Sequence, residues 1–177
     1  ARAYRNLGQY KEAIASLKEA LTRHPDFIYT YLDLARIYRK LGQHEKAIAS
    51  LKEALARDPD LVWAYFELAI NYLMAWEITQ SQDPLILDRA LEMAKKLVAI
   101  DDSILGGHSE LSIIYLYKQQ YEKALAEAEK LVALAPENAD DYAHLADIFN
   151  HTGRSGEAIE MVEQAMQLNP AFPAWYL

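Results

Sequence analysis

Residues 28–59 read IYTYLDLARIYRKLGQHEKAIASLKEALARDP, and this stretch decides the fold. Ala, Leu, Glu, Lys and Arg dominate it, all good helix formers. The reading is one helix from about Ile28 to Lys40 and a second from about His44 to Arg57. Gly42 supplies the break, because glycine accepts the left-handed backbone that a helix C-terminus often needs. Asp58-Pro59-Asp60 closes the pair: proline cannot continue a helix, and Asp60 is expected to cap the next one.

The same pair recurs along the chain. A step of 34 residues separates Pro25 from Pro59, Pro136 from Pro170, Gly8 from Gly42, Ala13 from Ala47, Ala124 from Ala158 and Tyr115 from Phe149. Self-similarity at that period marks stacked helical hairpins, each unable to bury its apolar face alone. The full length is 177 residues, about half of them apolar, which is enough for a continuous core. No segment alternates with period two, so no sheet is expected.

Net charge is −8, which argues against nucleic acid as the main partner. There is no cysteine, so disulfide and thiol chemistry are excluded. Leu61 to Ile78 approaches the length of a membrane span but carries Glu67 and Asn71, so no membrane insertion is expected. No signal peptide is visible, and the cytoplasm is the favoured compartment.

The residues at fixed positions of the unit resemble the tetratricopeptide repeat family. The second unit offers Tyr31, Leu34, Ala35, Tyr38, Gly42, His44, Ala47, Leu51, Ala54 and Pro59. The fifth offers Tyr142, Leu145, Ala146, Phe149, Gly153, Ser155, Ala158, Val162, Ala165 and Pro170. The resemblance implies an all-α, right-handed superhelical solenoid of antiparallel helix pairs, A and B, in a single array over 1–177. A partial repeat is expected over 1–25, full repeats over 26–59, 60–102, 103–136 and 137–170, and the start of a truncated repeat over 171–177. Small residues at positions 8 and 20 let paired helices approach closely. The third and fourth units reverse the order of sizes further on, with Ala94 before Leu97 and Ala128 before Leu131, which keeps total volume. The third also carries nine extra residues around Trp76–Pro84, read as a surface insertion, an extension of helix A or a protruding contact. Asp83 and Pro84 should start the helix that follows.

In this family helix A lines a concave groove, and the resemblance carries that role onto particular positions. The groove would hold Arg2, Arg5, Tyr29, Arg36 and Arg39, then Trp63, Phe66, Ile70 and Leu73, then Ile113, Tyr117 and Asp147. It would be basic at the N-terminal end, apolar in the middle and acidic beyond. An apolar floor suits a peptide or helix with an apolar face, while acidic groups meet the arginines. The alternative is that Trp63, Phe66 and Ile70 only complete packing between repeats. Glu67 and Glu110 stand where one subclass of the family clamps a carboxylate, and acids there would repel it.

No catalytic constellation stands out, and neither an enzyme nor a cofactor is expected. Asp140, His144, Asp147 and His151 form one helical stripe of acceptable metal ligands. His144 and His151 are two turns apart, however, about 10 Å at 1.5 Å per residue, too far for one ion. The function implied is a non-catalytic scaffold for a protein or peptide partner. Self-association through uncapped ends is the second reading. A looser similarity, to repeat regions attached to bacterial nucleotide cyclases, implies a regulatory appendage.

Overall fold

The computed structural model describes residues 2–79 and 84–171, with side chains described for 8–78 and 85–171. Among these residues every regular element is a helix. The chain divides into two compact bodies, Ala1–Ile100 and Asp101–Leu177. The N-terminal body contains α1 (Arg2–Arg23), α2 (Ile28–Lys40), α3 (His44–Arg57), α4 (Val62–Thr79) and α5 (Pro84–Ile100). The C-terminal body contains α6 (Leu105–Tyr117), α7 (Tyr121–Leu134), α8 (Ala139–His151) and α9 (Ser155–Leu168). Successive helices pack as hairpins, α2 on α3, α4 on α5, α6 on α7 and α8 on α9, and α2 also touches α4 directly. The fold is all-α and of tetratricopeptide type.

Close approach within each pair comes from small side chains. Ala35 and Ala47 are fully buried on α2 and α3, as are Ala69 and Ala90 on α4 and α5. Leu51 with Ala54, Ala94 with Leu97, and Ala128 with Leu131 are all buried, so both orders of large and small fill the core. The corresponding tyrosines near the start of α2 and α4 also hold the preceding turn. Tyr31 Oη donates to the Pro25 carbonyl at 3.2 Å, and Tyr65 Oη to the Pro59 carbonyl at 2.7 Å.

The hairpin turns share one hydrogen bond that closes the end of helix A. Gln43 N–H donates to Tyr38 O at 2.8 Å, Gln120 N–H to Tyr115 O at 2.8 Å, and Arg154 N–H to Phe149 O at 2.9 Å. The residue before each donor must adopt positive φ. Gly42 and Gly153 do so at 68° and 73°, but at the third turn it is Gln119, at 56°.

Three features depart from the sequence expectation or sharpen it. Gly8 does not break a helix: α1 runs through it without interruption. Glycine in a helix interior costs only about 0.5–1 kcal/mol, and continuing the helix pairs backbone groups that a turn would leave to water. Asp60 does not cap α4. Its N–H donates to Asp58 Oδ1 at 3.1 Å, and Leu61, whose carbonyl accepts from Ala64 N–H at 2.9 Å, occupies the cap position. The insertion lengthens helix A: α2, α6 and α8 have 13 residues each, whereas α4 has 18 and runs on from Ala75 to Thr79. Pro84 opens α5 as expected. Gln80–Asp83, and the C-terminal segment Phe172–Leu177, lie outside the described residues.

Candidate functional site: the exposed faces of the A helices

The N-terminal body presents the aromatic residues predicted for the groove. Tyr29 on α2 and Trp63 on α4 are 69% and 49% exposed. Phe66 and Ile70 are half-buried one and two turns along α4, and the Trp63 and Phe66 rings meet edge to face at 6.1 Å. Helical spacing aligns Trp63, Phe66 and Ile70 on one stripe. Leu73 does not extend that surface. It is buried, because the next turn of α4 faces the core. Arg2 and Arg5 belong to α1, and their side chains lie outside the described residues.

Toward the C-terminal end of α2 the face becomes polar, and its chemistry differs from the sequence reading. Glu67 is not an exposed acid. Its carboxylate is 4% exposed, receiving Arg36 Nε at 2.9 Å on one oxygen and Arg39 Nε at 3.2 Å on the other. A carboxylate in an apolar helix is costly unless paired, and two guanidiniums supply the pairing. Arg36 also lies 3.8 Å from Asp33, an exposed and weakly coupled contact. The two arginines remain 44% and 28% exposed, although with Glu67 and Asp33 beside them the four groups carry no net charge.

One turn beyond, Asn71 is fully buried. Its Nδ2 donates to the Glu67 carbonyl at 2.7 Å, and its Oδ1 lies 3.1 Å from His44 Nδ1 on α3. Sequence reading noticed Glu67 and Asn71 chiefly as interruptions of an apolar run. The usable signal was that polar groups in such a run need partners, and arginines stand on helix A of the preceding repeat.

The C-terminal body has a different character. Tyr117 is 41% exposed and Ile113 half-buried on α6, while Asp147 on α8 is exposed. Ser112 is buried and donates to the Ala124 carbonyl at 2.9 Å. Its oxygen is therefore the acceptor for His144 Nε2, 3.0 Å away. Burial pushes the His144 imidazole below its ordinary pKa, and the Asp147 charge offsets part of that. This pairing also removes His144 from the acidic stripe. His151 Nδ1 donates to the Asp147 carbonyl at 2.9 Å, and no three potential ligands converge on one point among the described residues. His108, buried at the start of α6, lies 2.7 Å by Nε2 from the Asp102 carbonyl and 2.6 Å by Nδ1 from Glu127 on α7. These contacts tie the loop before α6 to the next helix. No described helix is long and apolar enough to cross a membrane.

Comparison with known proteins agrees with this architecture. Tetratricopeptide repeat family models match residues 5–65 and 110–173, together more than half of the chain. No curated protein matches it in sequence. Among solved structures it is similar to MamA residues 41 to the end from Desulfovibrio magneticus RS-1, at 20% identity and TM-score 0.79 over 98% of this chain and 97% of that one. A thermophilic tetratricopeptide repeat protein of Thermus thermophilus gives 24% identity and TM-score 0.75, covering 95% and 87% of the two chains. YrrB, described as a repeat protein with an unusual peptide-binding site, gives 14% identity and TM-score 0.72 over 96% and 82%. At these identities the likeness is one of fold.

Proposed function

The chain belongs to the tetratricopeptide repeat family, and from that premise we propose that it is a non-catalytic interaction scaffold whose α2–α4 face receives a protein segment. The observation that carries this reading is the exposure of Tyr29 and Trp63, 69% and 49%, on two helices that touch. Covering apolar surface contributes about 25 cal/mol per Å², so these rings have more to gain from a partner than from their present neighbours. Arg36 and Arg39, still partly exposed beside Glu67, offer guanidinium donors on the same pair of helices. The segment that fits carries an apolar side chain, for Trp63 and Phe66, followed by an acidic one. A related fold, YrrB, is described as having a peptide-binding site, which agrees with this class of partner.

The test is affinity capture with the wild-type chain and with a Trp63→Ala, Phe66→Ala double variant of unchanged helix content. Loss of captured protein in the variant is the expected result. Equal capture would refute the assignment of this face.

A further inference from the structure

A second surface of the N-terminal body lies on the other side of α4. Leu68 and Tyr72 follow Phe66 and Ile70 by two residues, about 200° round the helix, away from the proposed docking stripe. They floor a cleft of about 310 Å³, with Lys52 and Leu55 of α3 on one wall and Arg89 and Lys96 of α5 on the other. Among the described residues, Glu92 is the one acid that lines it. Three cations thus stand against one carboxylate, in a chain whose net charge is −8.

These charges are not balanced within the cleft. Glu92 is taken by Lys96 at 2.9 Å, and that ammonium also lies 5.8 Å from the centre of the Tyr65 ring. Lys52 and Arg89 make no hydrogen bond or ion pair among the described residues. Both side chains are exposed, so core packing does not account for them. The equivalent positions one repeat earlier, allowing for the insertion, are Lys18, Lys46 and Glu53. There Lys46 Nζ is held by Gln43 Oε1 at 2.9 Å, and an acid stands in place of Lys96. The surplus positive charge therefore belongs to the α3–α5 cleft and is not a property of the repeat.

We propose that this cleft binds an oxyanion carried on an apolar stem. The Arg89 guanidinium offers a planar pair of donors, and Lys52 brings an ammonium from the opposite wall; hydrogen bonds to an anion are strongest from such groups. Leu55, Leu68 and Met93 would cover the stem. The carboxylate of an acidic side chain and a phosphate monoester share this chemistry, and the experiment separates them. The site lies on the opposite side of α4 from Trp63 and Phe66, so either proposal can fail without the other.

The experiment is a titration of the full chain, labelled with nitrogen-15, by hexanoate, by phenyl phosphate and by neutral hexanamide. At least one anion should shift the Arg89 Nε–H resonance saturably, with affinity about millimolar because both cations are exposed. The tighter of the two anions identifies the source. Hexanamide should bind roughly tenfold more weakly, and a Lys52→Gln, Arg89→Gln double variant should weaken the anion by about the same factor. Lys18→Gln, at the matching position one repeat earlier, should leave binding unchanged. All three substitutions fall on exposed side chains, so the helices persist. No shift with either anion, equal binding of hexanamide, indifference to the double variant, or an equal loss in Lys18→Gln would each overturn the proposal.

Discussion

The sixth residue of α4 and the sixth of α8 are both polar and largely enclosed, but the two bodies treat them differently. In the N-terminal body it is Glu67, held by two arginines from the preceding repeat. In the C-terminal body it is His144, mostly buried and directed at a serine hydroxyl. The first arrangement concentrates charge on a face that also exposes aromatic rings; the second buries a neutral ring and leaves acids at the surface. One backbone thus supports a face with exposed rings beside paired charges and a face whose polar ring is directed into its own packing. The difference resides in side chains supplied by the neighbouring repeat.

The largest test of that contrast is Glu67→Ala. Removing one member of a buried ion pair can cost about 3–5 kcal/mol, but Arg36 and Arg39 are partly exposed and can turn to water, so a loss of about 2 kcal/mol is expected. Urea unfolding measures it. A loss below about 0.5 kcal/mol would mean that the pairing contributes no more than a surface bridge.

Next in size are paired glycine variants. Gly42→Ala should lower stability by about 1 kcal/mol, because alanine resists positive φ. Gly8→Ala should raise it by about 0.5–1 kcal/mol, since Gly8 is helical and an added Cβ meets nothing within 4 Å. Destabilisation by Gly8→Ala in thermal unfolding would restore the turn that the 34-residue step suggests. Gln119→Gly relieves the one positive φ held by a side chain among the described residues but frees the unfolded chain, and a gain of about 0.5 kcal/mol is expected.

The smallest effect is on pH. The folded value of His144 is depressed, so its contribution to stability is intact above the unfolded value near pH ~6.5 and is lost as pH falls below it. Protection of the α8 amides, taken relative to their intrinsic exchange rates at each pH, should fall below that point by about a few tenths of a kcal/mol, and His144→Asn should flatten the slope. An unchanged slope in the variant would assign the effect to another group.

The periodic features were legible before any coordinates. Helices α2 and α3 begin and end where the Pro–Gly punctuation places them, and the reversed Ala94–Leu97 and Ala128–Leu131 pairs are buried as volume conservation requires. These features depend on local spacing. What escaped depends on contacts across repeats or on competition between local preferences. Gly8 carries the same signal as Gly42, but no helix-ending bond follows it. Leu73 occupies a groove position by register and turns into the core. Glu67 acquires its role only from Arg36 and Arg39, about 30 residues earlier. The length of α4 depends on the insertion continuing the helix, a choice between loop and helix that composition left open.

The most direct measurement is hydroxyl-radical footprinting of the chain with and without a captured partner. Oxidation of Tyr29 and Trp63 should fall on binding while Tyr117 and Ile159 in the other body keep their rates. Unaltered oxidation of Tyr29 and Trp63 in the complex would contradict the assignment of the α2–α4 face as the docking surface.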